Sequence, residues 1–185
     1  MIRKEKIRVY AAWFAAIFLF VSSRNARFSW PGIIFALMGV IIRIWACGYL
    51  QKNKSVISSG PYRYTRNPLY LGSFIIGIGF FWAFHIILPG LALIVIFAYI
   101  YYPVILDEER ILEEKFGEEF REYKRHVPRI IPLNPPKSPF DKGGTEGGFA
   151  KGLTFSWENV IRNKEYNAWL GFLLALGIIF LVRSL

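Results

Sequence analysis

The chain has 185 residues, of which 54% are hydrophobic and 18% aromatic. Its mean hydropathy is +0.34 and only 19% of its residues are charged, against roughly 25% in soluble proteins. This composition excludes a disordered chain, argues against a soluble globular domain and suits one membrane domain. We therefore attribute the net charge of +10 to membrane topology and anionic headgroups, and expect no nucleic-acid partner. The single cysteine, Cys47, excludes an intrachain disulfide.

Four apolar runs predict an all-α integral membrane protein with about five transmembrane helices. The first run, Val9–Val21, follows a basic start, and the second, Pro31–Leu50, is apolar apart from one arginine. The third, Leu69–Leu106, contains no Asp, Glu, Lys or Arg. It is too long for one span of about 20 residues, so we divide it at Pro89–Gly90 into two helices. Ala168–Val182 is the last run.

These runs organise the whole chain, 1–185, as a single membrane domain. Its parts are the first two helices (1–50), a catalytic-type core (51–132) with a helix hairpin (69–106) and an amphipathic segment (107–132), a flexible linker (133–167) and a last helix (168–185). The linker is predicted from the Pro-, Gly- and Lys-rich stretch that begins it. A cleaved signal peptide is the alternative for the first run. We favour a retained helix, because its aromatic-rich stretch continues straight into a short loop and a second span.

The distribution of charge predicts the orientation of the chain. With five helices, 19 of the 23 Lys and Arg residues and all 13 acidic residues fall on the side of the N-terminus. The positive-inside rule places that side in the cytoplasm. The polar chemistry is therefore expected on the cytoplasmic face. We expect a prokaryotic inner membrane, because the chain is short and shows no eukaryotic sorting signal.

The densest polar cluster is 60–72, with the sequence GPYRYTRNPLYLG. Pro68 suits the first turn of a helix, and Asn67 is expected to cap it. The free amides of such a helix end attract a carboxylate or phosphate, and Arg66 adds positive charge. The rings of Tyr62 and Tyr70 can stack on a base or contact a cation. The alternative is a basic, aromatic loop that only anchors a helix hairpin at the membrane interface.

Three charged residues are expected to act at the reacting groups. Arg43 lies inside the second apolar run, where a charge costs at least ~2.5–3.5 kcal/mol and needs a partner or a wet cavity. We expect that partner to be Glu108 or a ligand anion, with snorkelling to the inner headgroups as the alternative. Glu108 shares a helical face with Leu112, so its carboxylate needs a partner as well. Arg129 lies in an extended stretch, where a headgroup contact is its alternative role.

An amphipathic cytoplasmic helix is predicted after the fourth transmembrane helix. Its apolar residues recur at spacings of four, four, three and four, which is typical of one helical face. They are Leu112, Phe116, Phe120, Tyr123 and Val127. This helix can lie along the membrane or close over a site. We predict no metal site, since neither His85 nor His126 has a second His or Cys near it in sequence.

Two segments carry a family resemblance: GPYRYTRNPLYLG and, after one helix hairpin, DEERILEEKFGEEFREYKRHVPRIIP. Together they resemble the isoprenylcysteine carboxyl methyltransferase family, which is related to the phospholipid N-methyltransferases. The resemblance runs from about Ile41 to Pro132. It rests on an Arg-Asn-Pro-x-Tyr-x-Gly element, a charge-free hairpin, and then Glu-Glu-x-x-Leu and Phe-Gly…Tyr…Val-x-Arg-x-x-Pro elements.

This resemblance implies a membrane enzyme that binds S-adenosylmethionine on the cytoplasmic side, between the helices and the segment after the hairpin. Arg66 suits the carboxylate of that cofactor, and a glutamate suits its ammonium. Many family members have His where this chain has Asn67, and Asn cannot titrate near neutrality. Together with Tyr62 from the pattern of rings, the expected cofactor contacts are Arg66, Asn67, Pro68, Tyr70, Glu108, Glu109 and Tyr123.

Three functions are compatible with these observations. The first is methyl transfer to a lipophilic acceptor that enters from the bilayer: a prenylated-cysteine carboxylate, a phospholipid amine or another isoprenoid-like molecule. The second is an NADPH-dependent membrane reductase of similar architecture. The third is a non-enzymatic membrane scaffold, in which the polar residues serve only insertion. The Glu-Glu pair and the Arg-Asn-Pro-x-Tyr element favour the methyltransferase.

Overall fold

The computed structural model describes residues 28–51, 55–85, 87–132 and 154–184, and every element in these ranges is helical. The elements are α1 (Trp30–Tyr49), a 3-10 turn (Gly60–Arg63), α2 (Pro68–Ala83), α3 (Ile87–Phe116), α4 (Glu118–His126), α5 (Trp157–Arg162) and α6 (Tyr166–Ser184). The all-α class is therefore confirmed for the described residues. The predicted helix at Val9–Val21 lies outside them.

Two described helices are long and apolar enough to cross a membrane. They are α1 and the part of α3 at Gly90–Phe116. The 16 residues of α2 and the segment Tyr166–Gly177 of α6 are apolar but shorter; at 1.5 Å per residue, α2 reaches about 24 Å, less than the ~30 Å hydrocarbon core. These helices are consistent with a membrane protein, while the count of five spans stays a prediction.

Helices α1 and α2 pack with their backbones in close approach. A Cβ added to Gly79 would lie 2.4 Å from the backbone nitrogen of Ala36, and one added to Gly39 would lie 2.6 Å from the carbonyl oxygen of Gly72. Small residues that let two helices meet this closely are typical of membrane helix pairs. Gly79 therefore lies at a point where the backbone of α2 approaches that of α1.

The Gly79→Ala substitution should lower the free energy of unfolding by about 1–3 kcal/mol, because the new methyl overlaps backbone atoms that cannot move aside alone. Gly171→Ala in α6 is the matched control, since a Cβ there meets nothing within 4 Å and alanine favours a helix. Unfolding in detergent micelles titrated with sodium dodecyl sulfate measures both. Equal midpoints for the two variants would contradict the close packing.

The turn between α2 and α3 differs from the sequence prediction. The chain reverses at Phe84–His85, and His85 has φ 55°. Pro89–Gly90, where we predicted the break, lies inside α3. The physical reason is that proline is tolerated in the first turn of a helix, where its missing N–H has no partner to lose. Helix α3 also continues past residue 106, where we predicted the hairpin to end. The whole helix contains 30 residues, which gives a length of about 45 Å.

The predicted amphipathic face is confirmed, although its helix is interrupted. Gly117, at φ 56°, separates α3 from α4 in a conformation that favours glycine. The face packs on Val56, which is 3% exposed. The cluster around Val56 contains all five predicted residues: Leu112, Phe116, Phe120, Tyr123 and Val127. Of the two expected positions for this segment, closure over the loop before α2 is the one observed.

The prediction of a flexible linker at 133–167 is wrong for its described part. Residues 154–167 contain α5, and three of their side chains are buried: Asn159, Val160 and Glu165. The amide of Asn159 donates to the carbonyl oxygen of Gly48 at 3.0 Å, and that of Asn163 donates to Leu50 at 2.9 Å. These bonds satisfy carbonyls that the end of α1 leaves unpaired. A helix of six residues is too short to show a periodicity.

Candidate functional site

A cavity of about 680 Å³ lies between α1, α2, α3, α4 and the loop at 55–65. Its volume falls in the range of roughly 300–1,000 Å³ that is usual for ligand pockets. Nine of the residues expected to function line it: Arg43, Tyr62, Arg66, Asn67, Pro68, Tyr70, Glu108, Glu109 and Tyr123. The tenth, Arg129, is not one of the lining residues, but it pairs with one of them, Glu109.

Glu109 is the buried carboxylate at the centre of this site, with 4% of its surface exposed. Nη2 of Arg129 lies 3.0 Å from its Oε2, and Nη1 of Arg66 lies 3.3 Å from the same oxygen. The expectation that the buried carboxylate is Glu108 is therefore wrong. Glu109 follows the fully buried Ile105 by one helical turn, and this face of α3 is the one that turns inward.

Arg66 lines the cavity, and the hydrogen-bonding capacity of its guanidinium is not filled within the described ranges. Its side chain is only 10% exposed. Nη1 forms the ion pair with Glu109, but neither Nη1 nor Nε makes a hydrogen bond to a described residue. Burial lowers the pKa of Arg66, with the charge of Glu109 opposing that effect. Arginine nevertheless stays protonated in proteins. The site therefore holds a buried cation with unused donors, which is the arrangement that a carboxylate can satisfy.

Asn67 stands at the N-cap position of α2 but does not cap it. Its amide instead donates to the carbonyl oxygen of Arg129 at 3.0 Å and lies 3.4 Å from Oε1 of Glu109. The capping prediction is wrong because the bonds from the amide nitrogen orient the side chain toward Glu109 and Arg129, and its oxygen makes no capping bond to α2. Pro68 begins α2 as expected.

Glu108 is exposed and faces the cavity beside a tyrosine. The hydroxyl of Tyr70 donates to its Oε1 at 2.8 Å. The Tyr70 ring meets the Tyr101 ring edge-on, with centroids 5.5 Å apart. Since an ionised carboxylate has about four acceptor positions, Glu108 keeps acceptor capacity toward the cavity.

Two buried tyrosines, Tyr62 and Tyr123, line the cavity. The hydroxyl of Tyr123 donates to the carbonyl oxygen of Tyr62 at 2.6 Å. Burial raises the pKa of both hydroxyls above the ordinary value for tyrosine. Both groups are therefore neutral near pH 7, and they serve the site as hydrogen-bonding and ring surfaces.

Arg43 has a partner that sequence reasoning missed. Its Nε donates to Oε1 of Glu165 at 2.6 Å and its Nη2 donates to Oε2 at 3.0 Å. The expected pairing with Glu108 is therefore wrong. The thiol of Cys47 lies 3.4 Å from Glu165, and Cys47 lines the cavity. One feature of the sequence indicated this partner, because Glu165 is an acidic residue three positions before the last apolar run, which begins at Ala168.

The central part of the chain matches a known protein family. The model of the phospholipid methyltransferase family matches residues 30–119. The match begins with α1, includes the 60–72 cluster and the Glu108–Glu109 pair, and ends in the first turn of α4. The resemblance predicted from the sequence is confirmed over this segment.

Particular relatives extend the comparison. The cobalt-zinc-cadmium resistance protein CzcN of Cupriavidus metallidurans is 34% identical over 105 residues, which are 55% of this chain and 47% of that protein. The nickel-cobalt-cadmium resistance protein NccN of Alcaligenes xylosoxydans xylosoxydans is 31% identical over 103 residues, 55% of this chain and 48% of that protein. Methanethiol S-methyltransferase 1 of Bradyrhizobium diazoefficiens is 42% identical over 72 residues, 38% of this chain and 24% of that protein.

The chain spans about half the length of the first two relatives and about a quarter of the third. No solved structure matches it significantly. In the described part of the chain, no three His, Cys, Asp or Glu side chains are grouped so that they could hold a metal ion.

Proposed function

We propose that this protein is a membrane methyltransferase that uses S-adenosylmethionine to methylate a lipophilic acceptor. One observation carries the proposal: Arg66, a buried guanidinium that pairs with Glu109 but whose Nε and Nη1 make no hydrogen bond to a described residue, lines the cavity together with a carboxylate that can accept more bonds, Glu108. A ligand that carries both a carboxylate and an ammonium matches this pair. The family match at 30–119 supports the same cofactor class.

The residues of the cavity suit each part of that cofactor. Arg66 would hold the carboxylate, and Glu108 would hold the ammonium by a charge-assisted hydrogen bond. The rings of Tyr62 and Tyr70 offer faces for adenine or for the positive sulfonium. When bound, S-adenosylmethionine would supply an electrophilic methyl group.

The chain's own contribution is positioning and exclusion of water. Direct displacement at a methyl group requires the reacting groups in line and a dry cavity. Apolar side chains from the loop before α2, from α3 and from α4 restrict the entry of water. Those that line the cavity are Val56, Ile57, Leu112 and Phe120. Glu109 pairs with both Arg66 and Arg129, and it therefore orients the guanidinium groups of these two residues.

The acceptor would enter sideways from the bilayer on the cytoplasmic face, in a prokaryotic inner membrane. The family model favours a phospholipid amine as the acceptor. A carboxylate like that of isoprenylcysteine is a further candidate, from the sequence resemblance. The printed name of one relative, a methanethiol S-methyltransferase, supports a thiol.

The Glu108→Gln substitution tests the assignment of the ammonium. It should weaken S-adenosylmethionine binding by about 10- to 100-fold, since hydrogen bonds to charged groups contribute about 1.5–3 kcal/mol. Tyr70→Phe should weaken binding less, because it removes only the hydroxyl that orients Glu108. Radiolabelled S-adenosylmethionine retained by detergent-purified protein measures both.

Glu114→Gln is the matched control for this test. Glu114 is an exposed glutamate on the same helix, paired with Arg110 at 2.9 Å, and its loss should leave the affinity unchanged. If Glu108→Gln binds as tightly as the control, Glu108 does not hold the ammonium.

A further inference from the structure

The cavity has a second polar end that the cofactor assignment does not use. It is formed by Arg43, Cys47, Ser73 and Glu165, all of which line the cavity. Glu165 comes from the segment between α5 and α6, outside the residues that the family model matches. This acceptor end, as we call these four residues, is therefore partly built by a segment beyond the matched core.

The guanidinium of Arg43 is already engaged by its neighbours. Two of its N–H groups bond Glu165, and Nη1 donates to the hydroxyl of Ser73 and to the carbonyl oxygen of Leu69, at 2.5 and 3.2 Å. Four of the five N–H donors of this arginine are thus used. The side chain of Glu165 is 5% exposed, so its carboxylate is equally committed to this pair.

The charges along the wall leave no spare cation for an anionic acceptor. Among the described residues that line the cavity, the cations are Arg43 and Arg66, and the carboxylates are Glu108, Glu109 and Glu165. Under the proposed function, Arg66 is satisfied by the carboxylate of the cofactor. A second anion would be buried without a partner, which is strongly unfavourable.

The depth of Arg43 connects this end to the bilayer. Arg43 lies six residues before the end of α1 at Tyr49, about 9 Å along the helix at 1.5 Å per residue. The acceptor end therefore lies at the depth of the apolar part of α1, where a lipophilic molecule from the bilayer would reach it.

We propose that Glu165 determines acceptor specificity by neutralising Arg43, so that the acceptor end admits an uncharged reacting group, such as a thiol or unprotonated amine, and rejects a carboxylate. This inference rests on the proposed function for the identity of the reaction. Its statement about charge selection concerns only Arg43 and Glu165, and it is tested without the cofactor in an Arg66→Gln background, which removes the other cation that lines the cavity.

Cys47 provides a reporter for occupation of this end, because it is the single cysteine of the chain and lies 3.4 Å from Glu165. Because this thiol is only 1% exposed, the small reagent methyl methanethiosulfonate is used, and its rate of reaction with Cys47 is followed in lipid nanodiscs at pH 8, with 1-decanol or decanoate added at equal mole fractions. In Arg66→Gln, decanol should slow labelling and decanoate should not. In the double variant Arg66→Gln/Glu165→Gln, which releases Arg43, half-protection by decanoate should occur at a mole fraction at least about 10-fold lower than in Arg66→Gln.

Glu158→Gln in the same Arg66→Gln background, a change at an exposed glutamate on α5, is the control and should behave as Arg66→Gln alone does. Decanoate that protects Arg66→Gln as well as decanol does, or protection by decanoate that the added Glu165→Gln leaves unchanged, would overturn the proposal, as would no protection by either molecule. If the double variant does not fold, the comparison of the two molecules in Arg66→Gln decides alone. A separate titration with S-adenosylmethionine reports on the proposed function, so failure of one proposal is distinguishable from failure of the other.

Discussion

The Glu109→Ala substitution should destabilise the protein by about 3–5 kcal/mol, the largest effect on stability that we expect from one polar side chain here. Glu109 is buried and contacts Arg66 and Arg129 at 3.3 and 3.0 Å. Removing one partner of a buried pair leaves uncompensated charge, and this costs far more than the loss of an exposed pair. Detergent-titrated unfolding, monitored by tryptophan fluorescence, measures the change.

Glu114→Ala is the matched control for this result. Both side chains of its pair with Arg110 are exposed, Arg110 by 78% and Glu114 by 64%, and such surface pairs contribute little to stability. Similar unfolding midpoints for the two variants would show that Glu109 does not hold the two arginines in place.

The Arg66→Gln substitution should weaken S-adenosylmethionine binding by about 10- to 100-fold while the protein stays folded. The guanidinium of Arg66, whose Nε and Nη1 make no hydrogen bond to a described residue, is the group assigned to the ligand carboxylate, and a charge-assisted hydrogen bond contributes about 1.5–3 kcal/mol. Glu109 keeps Arg129 as its partner in this variant, so the buried carboxylate is not left alone. Equilibrium binding of the radiolabelled ligand measures the change.

Arg110→Gln is the control, because Arg110 is exposed and pairs only at the surface with Glu114. Its affinity should equal that of the wild type. Equal affinity in Arg66→Gln would mean that the buried guanidinium does not contact the ligand.

Sequence patterns succeeded where the information is local. The spacing of the apolar face from Leu112 to Val127 depends only on helical geometry, and all five of its residues share one cluster. The start of α2 at Pro68 follows from the missing N–H of proline. The polar cluster at 60–72 contributed five of the predicted cavity residues for the same reason, since neighbours in sequence remain neighbours around a turn.

The sequence was less informative about pairings between distant segments. Arg43 and Glu165 are 122 residues apart, and the intervening pattern of turn residues predicted a flexible linker. The choice between Glu108 and Glu109 depended on which face of α3 turns inward. That rotation is set by the packing of Ile105 in the apolar part of α3, which one turn of polar sequence does not reveal.

The central claim, that this cavity binds S-adenosylmethionine, is tested most directly by calorimetric titration of the detergent-purified wild-type protein with that ligand and, separately, with NADPH. We predict saturable binding of S-adenosylmethionine with a stoichiometry near one, and no binding of NADPH. Binding of NADPH alone would contradict the account in favour of a reductase. Binding of neither ligand, by protein whose unfolding transition shows it to be folded, would contradict it in favour of a scaffold.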